Sequence, residues 1–302
     1  MAALFVGTED GFHELGADDS RTTHVAGHDV TAIARDGVTW WTVIGGQALW
    51  RSDAPGAWDQ VAVLPDRRLN CLAPTGSGLF IGTSEAHLLR LAGGTLEAVD
   101  GFDRVDGRGS WYTPWGGPPD SRSIATERPG AVYVNVHVGG IVRTRDGGRS
   151  WEPTIDVDSD VHQVIAVDGR PGMVLAATAR GLAESGDGGD SWTFSTEGLH
   201  AEYCRAVAVA GETVLVSASE GPRSHRAAVY RRPLQGKGSF AKCEQGLPAW
   251  FGGNIDTARL AAGGSTAAVG TEEGLVFASE DEGLTWKEAA GGLPPVRCLA
   301  VV

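Results

Sequence analysis

Short apolar segments recur along the whole chain and are separated by glycine-rich turns. A typical group consists of residues 161–167, 173–179, 181–185 and 192–196, in which β-branched and small apolar residues dominate. Short runs of this kind, bounded by turn residues, are typical of β-strands. The pattern therefore predicts an all-β chain that is built from repeated units of four strands.

Six such units can be placed, and a seventh is divided between the chain ends. The first strands of the six units begin near Val30, Leu69, Arg122, Val161, Cys204 and Ile255. Residues 296–302 resemble the first strand of a unit that lacks its other three strands. Residues 2–8, 12–15 and 22–26 resemble the other three strands of a unit that lacks its first strand. Seven units in 302 residues give about 43 residues each, a usual length for a propeller blade. We predict one domain over residues 1–302, a seven-bladed β-propeller of four-stranded blades, closed by the N- and C-terminal strands in one blade, which leaves no open sheet edge.

Three octets share the pattern Ser/Thr-x-Asp-x-Gly-x-Ser/Thr-Trp, at residues 144–151, 185–192 and 279–286. Degraded copies stand at residues 51–58, 89–96 and 232–240. These octets are similar to the repeats of the BNR or Asp-box family of β-propellers, which includes sialidases, some glycoside hydrolases and photosystem II assembly factors. In that family the box lies between outer strands, away from the active face. The resemblance therefore implies an architecture and no particular chemistry.

Composition excludes several classes of partner. The formal net charge is -13, whereas nucleic acids and anionic membranes require a positive field. No run approaches the roughly 20 apolar residues of a membrane span, and the first residues lack the pattern of a secretion signal. The four cysteines are far apart and form no CxxC pair, so they are expected to be reduced and buried. We expect a cytoplasmic protein that binds neither nucleic acid nor membrane.

Polar residues occupy positions that a propeller would bring towards its central channel, where ligands commonly bind. At the starts of first strands these are Asn70, Arg122, His162, Arg205, Asp256 and Arg297. At the ends of second strands they are Glu85, His137, Arg180 and Glu220. The cationic members would suit an anionic ligand. The alternative is a structural ring, in which the arginines pair with Asp256, Glu85 and Glu220.

Two histidines, His137 and His162, come from consecutive units at corresponding depths and could meet. They could hold a divalent metal, although spacing fixes no third ligand. Alternatively, one of them could act as a general base, because imidazole titrates near neutrality. A third possibility is an ordinary structural role.

An insertion at residues 104–120 lengthens one unit on the predicted active face. Its Trp111, Tyr112 and Trp115 would offer flat aromatic surface over the channel, and Trp250 lies on the same rim. The alternative is a loop folded down as a plug.

Two functions from different classes follow. The first is a small-molecule site for an anionic or aromatic compound, with hydrolase or lyase chemistry at His137 and His162. The second is a non-catalytic scaffold that grips a protein partner. Sialidase activity is not expected, because the Arg-Ile-Pro motif is absent and sialidases have six blades.

Overall fold

The computed structural model describes residues 2–16, 20–54, 56–127, 130–236 and 238–302. Its strands are short, as the spacing of apolar runs and turn glycines requires. In the first half of the chain they are β1 (Leu4–Thr8), β2 (Gly11–Leu15), β3 (Arg21–His24), β4 (Val30–Asp36), β5 (Thr39–Ile44), β6 (Ala48–Ala54), β7 (Ala57–Val63), β8 (Leu69–Thr75), β9 (Gly78–Thr83), β10 (Leu88–Ala92), β11 (Thr95–Ala98), β12 (Ser121–Glu127), β13 (Ala131–Val136), β14 (Gly140–Thr144) and β15 (Glu152–Pro153).

The second half continues the same pattern. Its strands are β16 (Val161–Ala166), β17 (Val174–Thr178), β18 (Gly181–Ser185), β19 (Thr193–Ser195), β20 (Tyr203–Ala210), β21 (Thr213–Ser219), β22 (Ala227–Pro233), β23 (Ala241–Lys242), β24 (Leu260–Gly263), β25 (Thr266–Gly270), β26 (Val276–Ser279), β27 (Lys287–Ala290) and β28 (Val296–Val301). A helical turn α1 (Asp100–Asp103) and 3₁₀ turns at Ser84–Ala86, Arg108–Ser110 and Val157–Ser159 complete the elements. Among the described residues, no helix is long and apolar enough to cross a membrane.

The described strands form seven four-stranded sheets, the blades of a seven-bladed β-propeller. Six sheets consist of consecutive strands: β4–β7, β8–β11, β12–β15, β16–β19, β20–β23 and β24–β27. The seventh has the order β28-β1-β2-β3, so the two ends of the chain share one blade. The predicted fold class is confirmed.

The two termini pair along the length of β1, with one register shift between Gly7 and Thr8. Strand β28 runs antiparallel to β1, with Leu4 opposite Val301 and Gly7 opposite Cys298. The shared blade buries Leu4, Val296 and Leu299 against neighbouring apolar residues. Each of these side chains removes apolar area from water that an unpaired terminal strand would expose.

Two compact units contain these blades. The first unit comprises Met1–Ile33, Ala179–Leu182 and Ser195–Val302, and the second unit comprises Ala34–Thr178 and Ala183–Phe194. Each unit has its own buried apolar clusters between adjacent sheets, one around Phe251 and Trp286 in the first unit and one around Phe80 and Phe102 in the second.

The three octets form closely similar turns before the outermost strands. Asp187 accepts the backbone N–H of Ser191 at 2.9 Å and its hydroxyl at 2.6 Å, and the hydroxyl of Ser185 at 2.8 Å. Equivalent contacts occur in residues 144–151 and 279–286. The aspartate therefore closes the turn through backbone and side-chain donors, as short polar residues commonly do.

One predicted strand begins later than expected. The sequence places a first strand near Ile255, whereas β24 begins at Leu260. Residues Asp256 to Arg259 form a turn instead, in which the Arg259 N–H donates to the Asp256 carbonyl at 2.9 Å. The degraded octet copy at residues 232–240 contains residue 237, which lies outside the described residues.

Candidate functional site

β-Bulges place many of the predicted polar residues. The first strands β8, β12, β16 and β20 each contain a register shift near their start, and β28 contains one against β1. The residues that the register skips are Asn70, Arg122, His162, Arg205 and Arg297. A bulge adds an unpaired residue to a strand and re-aims its side chain, and bulges are frequent beside functional sites.

Within the second unit, His137 and His162 meet across the carboxylate of Asp160. His137 Nε2 lies 3.2 Å from Asp160 Oδ1, and His162 Nε2 lies 3.6 Å from Asp160 Oδ2. Both imidazoles are buried, whereas 28% of the Asp160 side chain is exposed. The site therefore has two enclosed nitrogen donors behind a carboxylate that solvent reaches.

The backbone around this cluster is unusual. Asp160 ends the 3₁₀ turn Val157–Ser159 in the left-handed region, at φ 46° and ψ 69°. Val138, directly after His137, also has a positive φ of 51°. This conformation is costly for a residue with a Cβ, above all for a β-branched one, and such strain is commonly found at functional sites.

Electrostatics favour a neutral His137 beside an ionised Asp160. Burial lowers the pKa of His137; the Asp160 carboxylate opposes this shift and the Arg122 guanidinium adds to it. Burial would raise the pKa of Asp160, but the imidazoles of His137 and His162 hold it well below its usual range. Near neutral pH, His137 can therefore offer a lone pair, and the carboxylate fixes the orientation of the rings.

The aromatic insertion partly covers the cluster. Trp115 stacks on His137 with ring centroids 5.2 Å apart and is 68% exposed. Tyr112 is also exposed, and its hydroxyl donates to Asp158 at 3.3 Å. Trp111 instead packs on Phe102, with centroids 6.0 Å apart. Within the insertion, Trp111 is therefore packed down, whereas the rings of Tyr112 and Trp115 face solvent.

Two predicted arginines of the first unit are held by carboxylates. Arg205 Nη2 lies 2.6 Å from Asp256 Oδ1, as the structural-ring alternative anticipated. Arg297 pairs with Glu9 and, at 3.6 Å, with Asp29. The expected partners of Arg297 were wrong, because Glu9 directly follows β1, the strand that pairs with β28, and so lies beside Arg297.

The rim residues Glu220 and Trp250 belong to another cluster of the first unit. Glu220 accepts from Arg226 at 3.2 Å, rather than from the arginines with which it was expected to pair. Two cations lie over the Trp250 ring: the Arg226 guanidinium carbon is 4.1 Å from the ring centroid, and the Lys242 ammonium nitrogen is 3.6 Å from it. Cation–π contacts therefore occupy this ring.

The remaining predicted residues occupy turns and strand starts. Asn70 has a buried Nδ2 that makes no hydrogen bond to described residues. Glu85 adopts a positive φ of 61°, and its backbone N–H donates to Asp120 at 3.3 Å. Arg180 lies in the tight turn between β17 and β18.

Sequence reasoning missed Asp160. It lies in a turn before β16, outside the strand positions that were compared between units. The signal was the acidic run Asp156-Val-Asp-Ser-Asp160, which ends two residues before His162. An Asp-x-His spacing at a strand start would have identified it.

Comparison with known proteins shows the fold class. No protein-family model matches the chain, and no curated protein matches it. A catalytically inactive variant of virginiamycin B lyase from Staphylococcus aureus, solved with quinupristin, is 12% identical with a TM-score of 0.62, over 86% of this chain and 84% of the lyase. YCF48 bound to D1 peptide is 16% identical with a TM-score of 0.60, over 95% of this chain and 84% of YCF48. A GH74 enzyme from Niastella koreensis is 13% identical with a TM-score of 0.60, over 94% of this chain and 46% of the enzyme. The chain is similar in fold to propellers with different activities.

Proposed function

We propose that the chain binds a small anionic or aromatic molecule at the cluster of His137, Asp160 and His162, and acts on it as a hydrolase or lyase. The observation that carries this proposal is the convergence of two buried imidazoles on one carboxylate with a solvent-facing edge. Chemically reactive groups are here enclosed and still reachable, which is the usual condition of a small-molecule site.

The surrounding residues suit the two ligand properties. Trp115 presents an exposed ring beside His137, on which an aromatic ligand can stack. Arg122 acts electrostatically on His137 and brings positive charge to the site, which favours an anion. A neutral imidazole that is oriented by a carboxylate can remove a proton from a ligand or from water, as elimination and hydrolysis both require.

Binding is tested by calorimetry and ligand-observed NMR with benzoate, 4-hydroxyphenylacetate and the uncharged benzyl alcohol. Trp115→Ala is expected to weaken binding of the aromatic probes roughly two- to tenfold, because a stacked aromatic pair contributes about 0.5–1.5 kcal/mol. Arg122→Gln is expected to weaken binding of the two carboxylate probes and to leave binding of benzyl alcohol unchanged. Trp40→Ala, at a half-buried tryptophan of β5, is the matched control.

Catalysis is tested on each bound probe and on its ester, with products followed by NMR. His162→Gln is expected to remove turnover while the circular dichroism spectrum is retained. Equal binding by wild type and Trp115→Ala, or unchanged turnover in His162→Gln, would contradict the proposal.

One observation favours a second candidate, a scaffold for a protein partner. Arg205 and Arg297 are already paired with acidic residues, which was the expectation for a structural ring. A peptide-bound relative in fold, YCF48, illustrates that a propeller can serve this role. Retention of a peptide from a random library by wild type and by Trp115→Ala alike, without binding of any small probe, would support this candidate.

We also infer that the three octets are Asp boxes, on the basis of their common hydrogen bonds around Asp146, Asp187 and Asp281. They stabilise the turns of outer strands and carry no part of the proposed chemistry. A cytoplasmic location stays a prediction, in keeping with four buried cysteines that form no disulfide.

A further inference from the structure

The donor atoms of His137, Asp160 and His162 are spaced as metal ligands. One donor atom from each residue lies within 4.8 Å of the other two. Zinc binds imidazole nitrogen and carboxylate oxygen at about 2.0–2.2 Å, so two donors on a tetrahedral ion lie roughly 3.4 Å apart. The two nitrogen–oxygen separations fall on either side of that value: 3.2 Å from His137 Nε2 to Asp160 Oδ1, and 3.6 Å from His162 Nε2 to Asp160 Oδ2. Each imidazole therefore faces its own oxygen of the carboxylate, and both oxygens would turn towards the ion.

The carboxylate supplies a second, independent observation. Asp160 Oδ1 is buried and accepts no hydrogen bond from described residues, although His137 Nε2 is 3.2 Å away. The contact is therefore close but poorly aligned for a proton between the two atoms. Buried polar atoms are normally paired, and an orphaned oxygen facing a ring nitrogen is the arrangement expected where an ion belongs between them.

We propose that His137 Nε2, His162 Nε2 and the carboxylate of Asp160 together bind one Zn²⁺ ion. This inference rests on the proposed function and deepens it, because it concerns the same site. With the ion bound, the imidazole lone pairs would be its ligands, so a metal-bound water, in place of a free imidazole, would supply the base. Two imidazoles and one carboxylate form a nitrogen-rich set that suits zinc, whereas Mg²⁺ and Ca²⁺ prefer oxygen ligands throughout. Three protein ligands also match the zinc sites that keep a coordination position open for a substrate.

The charge of the loaded site specifies the ligand class. With neutral imidazoles, the ion and Asp160 leave one positive charge, and the Arg122 guanidinium acts electrostatically on His137 beside them. The open side is the edge of Asp160, since both rings are buried. A ligand that enters there meets the ion and the exposed Trp115 ring, so the site would select a compound with an anionic oxygen next to an aromatic group.

The bland alternative is a structural network in which both imidazoles donate a proton to Asp160. In that case the three residues would contribute stability and bind no ion. A measurement of metal binding distinguishes the zinc site from this structural network, and it requires no knowledge of the substrate.

Zinc binding is tested by elemental analysis of the purified chain and by calorimetric titration of metal-free protein with ZnCl₂, with MgCl₂ as comparator. Co²⁺ is titrated in parallel, and its visible absorption reports the ligand geometry. One Zn²⁺ per chain is expected. Loss of an outer-shell partner commonly weakens metal sites 10- to 100-fold, so loss of a direct ligand in Asp160→Asn or His162→Gln is expected to exceed about 100-fold.

His87→Gln is the matched control. His87 Nδ1 contacts Asp103 Oδ1 at 2.8 Å in the same unit, so this variant removes a histidine–carboxylate pair that lacks a second imidazole. It should bind Zn²⁺ like the wild type. Both imidazoles are buried, so His137→Gln is measured beside His162→Gln, and the circular dichroism spectrum identifies any variant that fails to fold.

The two proposals can fail separately. Stoichiometric Zn²⁺ binding that Asp160→Asn abolishes, without binding of any small probe, supports the metal site and contradicts the proposed function. Probe binding that persists after treatment with EDTA, in a protein that takes up no Zn²⁺, supports the proposed function and contradicts the metal site. Weak Zn²⁺ binding that is equal in all folded variants overturns the zinc site, because it would come from other surface groups.

Discussion

A single methyl group at Gly7 tests the pairing of the chain ends. Gly7 in β1 lies opposite Cys298 in β28. A Cβ added at Gly7 would lie 2.5 Å from Cys298 Sγ and 2.8 Å from Val30 Cγ1. Both separations are shorter than any ordinary carbon contact, so Gly7→Ala forces the two strands or their side chains to move.

The expected cost follows from the packing. Overpacking of a close-packed interior costs about 1–3 kcal/mol, and we expect Gly7→Ala to lower the free energy of unfolding by an amount in this range. Cys298→Ala removes one buried heavy atom and should cost about 1 kcal/mol. In the double variant the sulfur contact disappears and the Val30 contact remains. The double variant should therefore lose about 1–2 kcal/mol less stability than the sum of the losses in the two single variants.

Equilibrium unfolding in urea, followed by tryptophan fluorescence and circular dichroism, measures all four members of this cycle. Gly76→Ala is the control, because a Cβ there meets nothing within 4 Å. It should change stability by less than about 0.5 kcal/mol. Additive costs of Gly7→Ala and Cys298→Ala, within about 0.5 kcal/mol, would refute the argument, since residues that are not in contact behave in this way.

Three further predictions concern the turns and their ion pairs. Burial opposes ionisation of Asp281, but hydrogen bonds from the residues around it lower its pKa to about 2. Its stabilising effect is therefore complete above the ordinary aspartate pKa of about 4 and is lost as the pH falls through about 2. In urea unfolding at several pH values, Asp281→Asn should reduce the change in the free energy of unfolding between about pH 4 and about pH 2, and an unchanged pH dependence would contradict this role. Arg143 is buried, and its Nη2 lies 2.8 Å from Asp190, so a double-mutant cycle of Arg143→Met and Asp190→Asn should give a coupling of about 1–2 kcal/mol, whereas a value near zero would exclude a stabilising pair. Trp286 is buried and donates its indole N–H to the Gly283 carbonyl at 3.0 Å; Trp286→Phe should cost about 1–3 kcal/mol in thermal or urea unfolding, and no change would contradict that role.

Most of the fold could be predicted because blade formation is local. Residues 161–167, 173–179, 181–185 and 192–196 were predicted as one unit, and the observed strands lie inside those ranges. Apolar runs, turn glycines and the octets each act over fewer than ten residues. The late start of β24 shows the limit of this reasoning, since a turn at Asp256 replaces the strand that the spacing indicated.

Less of the candidate site could be predicted. Spacing alone placed His137 and His162 at comparable positions, and the structure brings them together. Asp160 escaped prediction because its turn has no counterpart in the repeat pattern. The partners of Arg297 and Glu220 were wrong for a related reason, since long side chains choose among several carboxylates according to distances that only the folded chain sets.

The sequence by itself determined the repeat, the number of blades, and the chain ends that share a blade, because strand period and turn chemistry are written in neighbouring residues. Only the tertiary structure decided that bulges re-aim His162 and Arg122, and that Asp160 reaches both imidazoles. Contacts of this kind join side chains from different strands and turns. They depend on register shifts and backbone angles that close packing fixes.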